Sequence, residues 1–118
     1  MNDHAILLCG HGSKKKEGIQ GLALLAEKLQ KRYQDVVVEY AFLELAHPTY
    51  HEAVKKLYDQ GKRKIIAIPV FLFAGLHLNY EIPQLMKQYQ QEMEGLEIRL
   101  TSHIGINDEL IQLADKRM

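Results

Sequence analysis

The run Ala67-Ile68-Pro69-Val70-Phe71-Leu72-Phe73-Ala74-Gly75-Leu76-His77-Leu78-Asn79-Tyr80-Glu81-Ile82-Pro83 decides how this chain is read. Its apolar first half, taken with Lys64 to Ile66 before it, reads as a buried strand from Lys64 to Phe71. Gly75 breaks the run. One imidazole, His77, and one carboxylate, Glu81, follow before the chain turns helical. A polar, ligand-type pair just past a buried strand is where open α/β sheets keep their sites.

Outward from that run, strands and helices alternate. His4 to Cys9 is continuously apolar after its first residue, as expected of a strand covered on both faces, and Gly10-His11-Gly12-Ser13 ends it. Glu17 to Tyr33 places Ile19, Leu22, Leu25, Ala26 and Leu29 at helical spacing. Val36 to Phe42 is β-branched and aromatic, hence a strand. Thr49 with Glu52 three residues on makes a capping box for a helix that runs to about Gln60 and stops at Gly61. Asn79 is expected to cap a third helix reaching Glu94. Leu96 to Leu100 reads as the fourth strand, and Asn107 caps a last helix from Asp108 to Lys116. The fold class is therefore α/β: an open four-stranded parallel sheet with helices on both faces and flavodoxin-like winding, residues 1–118 forming one domain.

Composition narrows the partners. Fifteen basic residues balance fifteen acidic ones in 118 residues, so net charge argues neither for nucleic acid nor for an anionic membrane. The lone cysteine, Cys9, excludes an internal disulfide and reads as a buried small hydrophobe in a reducing compartment. No apolar run approaches the ~20 residues needed to span a bilayer, and no signal pattern opens the chain. A cytoplasmic protein is expected.

Parallel topology gives these loops a common address. The strand C-terminal ends share one rim, which receives Gly10-His11-Gly12-Ser13, then Glu44 and His47, then His77 with Glu81, then His103. If the third strand lies beside the first, His11 and His77 are neighbours. Neutral imidazole is a good ligand for divalent cobalt, nickel, iron and zinc. Two histidines are too few for a permanent structural zinc, which takes four ligands, and suit a metal held briefly. Glu44 and Glu81 are the carboxylates placed to accept protons. Gly12 and Ser13 lead into a helix N-terminus and, with Lys14-Lys15-Lys16 beside them, form a cationic cradle for a polyanion. A His-Gly pair after the first strand also suggests a phosphohistidine phosphatase or mutase. Those carry an arginine directly before the pair, where this chain has Gly10.

The residues His11-Gly12-Ser13, Phe42-Leu43-Glu44-Leu45 with Pro48, and Pro69-Val70-Phe71-Leu72-Phe73-Ala74-Gly75-Leu76-His77 with Ile82-Pro83 together resemble the class II tetrapyrrole chelatases in their short, single-domain form. Those enzymes insert cobalt, nickel or ferrous iron into sirohydrochlorin, a flat macrocycle fringed with carboxylates, and the short forms need no ATP. The resemblance implies that His11 and His77 hold the metal, which is substrate rather than permanent cofactor. It implies a homodimer with the cleft between subunits, and no nucleic-acid or membrane partner. Gly12, Ser13, Lys14 and Gly75 are expected around the macrocycle, and Glu44, Glu81 or a metal-free histidine as proton acceptor. Two positions depart from the pattern: Leu76 replaces a second glycine, and Glu81 replaces an aspartate. Because the ligand is neutral imidazole, activity is expected to fall as pH drops through about 6.5, the ordinary histidine value. A metal or tetrapyrrole carrier without turnover is the alternative.

Overall fold

The computed structural model describes residues 2–73, 75 and 77–118, with residues 77 and 78 described by their backbone alone. Four strands, β1 (His4–Gly10), β2 (Val37–Phe42), β3 (Lys64–Pro69) and β4 (Glu97–Leu100), alternate with helices α1 (Lys16–Gln30), α2 (Tyr50–Asp59), α3 (Ile82–Glu92) and α4 (Asp108–Asp115). The strands form one parallel sheet in the order β2-β1-β3-β4. β3 thus lies beside β1, as the winding requires, and the switch point of the sheet falls between them.

β1 is the keel. Ala5 pairs with Val37 on one side and with Ile65 on the other, and this register holds up to Cys9, opposite Ala41 and Pro69. Alternate side chains go to opposite faces. Ala5, Leu7 and Cys9 pack with Val54 and Leu57 of α2 and Met86 and Tyr89 of α3. Ile6 and Leu8 pack with Leu22 and Ala26 of α1. Helices therefore cover both faces, while α4 buries none of its residues. Cys9 is fully buried, and burial pushes its thiol up to about 12, so it is the inert core residue expected.

The helix ends follow local chemistry. Thr49 Oγ1 accepts from the Glu52 N–H at 3.2 Å, and the Thr49 N–H donates to Glu52 Oε1 at 2.8 Å. Gly61 follows α2 at φ +90, a conformation that glycine enters without steric cost. Asn107 Oδ1 accepts from the Leu110 N–H at 2.9 Å and opens α4.

Two boundaries differ from expectation. β3 stops at Pro69, not Phe71, because β4 pairs only as far as Ala67 and the chain leaves the sheet after Pro69 meets Cys9. Asn79 does not cap the third helix. It lies inside a π-helical turn, His77–Glu81, and its N–H donates to the Gly75 carbonyl at 3.0 Å. α3 begins only at Ile82, with Pro83 in its first turn, where a missing N–H costs nothing.

Candidate functional site

The loop that leaves β1 is built by hydrogen bonds to the loop that leaves β2. The Leu43 N–H donates to the Gly10 carbonyl and the Glu44 N–H to the His11 carbonyl, both at 3.0 Å. The two chains run so close that a Cβ on Gly12 would lie 1.7 Å from the Glu44 carbonyl oxygen. Gly12 also sits at φ +122, a region L side chains rarely enter. Only glycine fits. The backbone thereby carries Glu44 to His11, whose Nε2 lies 3.4 Å from Glu44 Oε1, both side chains about half exposed. At that exposure the pair adds little to stability; it holds an imidazole nitrogen and a carboxylate side by side.

Tyr50, which sequence reasoning did not single out, braces this loop from below. Its buried hydroxyl donates to the Gly10 carbonyl at 2.6 Å. That carbonyl thus uses both lone pairs, one for Tyr50 and one for Leu43. Burial, reinforced by Cys9, Tyr89 and Glu81 nearby, raises the Tyr50 phenol far above its ordinary value and keeps it a donor. The available signal was an aromatic residue with a hydroxyl in the first turn of a capped helix, which by spacing alone reads as core.

Ser13 shapes the start of α1. Its Oγ accepts from the Lys15 N–H at 3.0 Å, and its side chain packs so tightly on the helix that a Cβ at Gly18 would lie 2.7 Å from the Ser13 Cβ. Lys14, Lys15 and Lys16 are all exposed at this end. Like charges at a helix N-terminus oppose its dipole, so these lysines do not stabilise the start of α1.

Glu81 ends the π-helical turn. It lines a 450 Å³ surface cavity with Tyr80, Gln84 and Lys87. It is within electrostatic reach of Tyr50. Gly75 supplies the carbonyl on which that turn begins, and a Cβ there would meet no atom of the described residues within 4 Å. The His77 backbone opens the π-helical turn that follows β3 in the chain; its side chain, and Leu76, lie outside the described residues. Among the described residues no three histidine, cysteine or acidic side chains gather to hold a metal ion. His47, read as a loop residue, instead joins Glu52: its Nδ1 lies 2.7 Å from Glu52 Oε1. His51 faces the Tyr89 ring, and His4 lies beside Asn2 and Asp3. His103 folds back over Gly105, 3.0 Å from where a Cβ would stand. None of these four shares the His11–Glu44 contact.

The architecture and this rim define a class: a small parallel α/β domain that presents a histidine and a carboxylate, beside a cationic helix start, at its switch point. The CbiX family profile matches residues 5–118, and the chain belongs to that family. A sirohydrochlorin cobaltochelatase of Sulfurisphaera tokodaii is 34% identical over 98% of this chain and 91% of its own length. That of Methanocaldococcus jannaschii is 42% identical over 70% of this chain, which spans 57% of that relative. A solved CbiX protein from Marinobacter aquaeolei VT8, named for cobalamin biosynthesis, superposes with TM-score 0.84 at 30% identity over 97% of this chain and 92% of its own. The sirohydrochlorin chelatase SirB of Bacillus subtilis subspecies spizizenii, solved with cobalt, gives TM-score 0.89 at 30% identity; this chain spans 49% of it. No helix among the described residues is long and apolar enough to cross a membrane.

Proposed function

We propose that this chain is a sirohydrochlorin chelatase that inserts a divalent metal, cobalt or ferrous iron and by extension nickel, into the macrocycle without ATP. The observation that carries the reading is the His11–Glu44 contact of 3.4 Å, fixed by backbone pairing at the switch point of a CbiX-family fold. His11 and His77 act as the transient metal ligands. Insertion replaces two pyrrole N–H protons by one M²⁺, so two protons must leave. Glu44, beside His11, accepts the first, and Glu81 is the second acceptor. Gly12 and Ser13, with Lys14 next to them, receive the carboxylate fringe, and Gly75 starts the turn that brings His77 forward.

Residues 1–118 act as one chelatase-like domain, and a second copy completes the cleft. Support for the second copy comes from surfaces this chain leaves open: Ile66 and Ile68 are only partly covered, and Ile111 and Leu113 of α4 are exposed. The cytoplasm, expected from the lone cysteine, is part of the same proposal.

The test is to incubate purified protein with sirohydrochlorin and Co²⁺, Fe²⁺ or Ni²⁺ and follow the absorption spectrum. Multiple turnovers, lost in His11→Ala and His77→Ala, are the expected result. Stoichiometric binding without turnover makes the protein a carrier.

A further inference from the structure

Helix α1 carries two glycines in its interior, where glycine is less favourable than alanine. Gly18 has a reason, since Ser13 occupies the space a side chain would need. Gly21 has none among the described residues: a Cβ there meets none of their atoms within 4 Å. Above Gly21 opens a cavity of about 310 Å³. Leu22, Leu25, Phe42 and Val70 line it together with His11, Gly12 and Ser13. The apolar walls come from α1, from β2 and from Val70 just past β3. Among the described residues, no lysine, arginine, aspartate or glutamate lines it.

A lining that combines apolar side chains with an imidazole and a serine hydroxyl suits a flat ring that carries an acid at its edge. The volume lies at the low end of ligand pockets, which span roughly 300–1,000 Å³ for drug-sized molecules, so it takes part of a large ligand rather than all of it. We infer that this cavity is a specificity pocket for the substrate: it seats one carboxylate-bearing pyrrole edge of the tetrapyrrole, ring against Leu22, Leu25, Phe42 and Val70, and Gly21 sets its depth. The inference rests on the chelatase reading and adds the subsite that orients the macrocycle over His11. The carboxylate lies beside Ser13, whose hydroxyl can donate, and beside Lys14. Seating one edge fixes the ring plane relative to the histidine, which is the orientation a metal transfer needs.

The experiment uses the full chain and two independent ways of filling the pocket, Gly21→Leu from the helix and Val70→Phe from the sheet. Each is measured for circular dichroism, oligomeric state, KM for sirohydrochlorin, and equilibrium binding of metal-free sirohydrochlorin by absorbance titration. The expected result is a tenfold or greater rise in KM and in Kd for either folded variant, with cobalt dependence of the rate unchanged. Gly21→Ala, with room for its methyl, is expected to melt higher than the wild type and to raise KM only a few-fold. A folded filled variant whose KM and Kd stay within twofold of wild type overturns the pocket assignment. So does a variant whose loss tracks a change in oligomeric state, since the occupant would then be a second copy of the chain. If the wild type binds sirohydrochlorin without turnover, the chelatase reading fails while the titration still judges the pocket. If it does not bind, both fail.

Discussion

Replacing Gly12 by alanine tests whether the site is held by backbone contact. The new Cβ would stand 1.7 Å from the Glu44 carbonyl oxygen and 2.8 Å from its carbon. That oxygen belongs to main chain and cannot rotate away, so the β1 and β2 loops must part by more than an ångström. Parting breaks the 3.0 Å bonds from Leu43 to Gly10 and from Glu44 to His11. Each is worth about 1 kcal/mol, and holding alanine at a positive φ costs about 1–3 kcal/mol more. The expected loss is thus about 3–5 kcal/mol, a large share of the roughly 5–15 kcal/mol of a typical domain. At about 4 °C per kcal/mol for a chain of this size, Tm should fall by about 12–20 °C. The assay is thermal unfolding by circular dichroism, with cobalt insertion measured at 20 °C. Activity should fall along with Tm, because Glu44 leaves His11. Gly61→Ala is the control: it also has positive φ, at +90, but meets no atom of the described residues within 4 Å, so it should cost only about 1–2 kcal/mol. A Gly12→Ala protein as stable as Gly61→Ala, or one retaining full activity, refutes the argument.

Three further outcomes are expected. Tyr50→Phe removes the 2.6 Å donor to Gly10 and should lower stability by about 1 kcal/mol, seen as a lower urea midpoint at unchanged slope; a raised midpoint contradicts the bracing role. Glu44→Gln keeps shape but loses the proton acceptor, so kcat should drop by about 10²-fold or more with folding intact; an unchanged kcat moves that role to Glu81. Glu52 is held down to about 2 by the Thr49 N–H and His47. Its folded value is depressed, so its stabilisation is present above the unfolded carboxylate value of 4.5 and is lost as pH falls from there toward 2. The stability gap between wild type and Glu52→Gln, measured by urea at pH 7 and at pH 3, should therefore narrow at the lower pH. A gap that widens on acidification shows the sign to be wrong.

Local patterns carried most of the fold. The unbroken apolar run after His4 marked a strand covered twice, and the structure puts β1 between β2 and β3. Thr49 with Glu52, and Asn107, named their helix starts because capping is chemistry within three residues. Asn79 carried the same signal and misled. Its backbone N–H is satisfied by Gly75, one turn earlier, so the chain was already coiling before the cap that composition suggested. The convergence of His11 and Glu44 followed from parallel topology, but their contact depends on how closely two loops approach. That approach is set by a glycine whose neighbour lies over thirty positions away in the chain. Tyr50 was invisible for the same reason: its hydroxyl bonds a carbonyl forty residues earlier, which no periodicity reports.

β1 has one more consequence. It exchanges hydrogen bonds along nearly its whole length with β2 on one side and β3 on the other. A growing chain therefore leaves one edge of β1 unsatisfied until Pro69 has been made, and a partly unfolded chain that loses either neighbour loses the strand that carries His11. Amides of Leu7, Leu8 and Cys9 should exchange with solvent only when the whole molecule opens, while those of α4, which buries nothing, should exchange through small local openings. His11 follows that strand directly, so it should keep its place until the whole molecule opens.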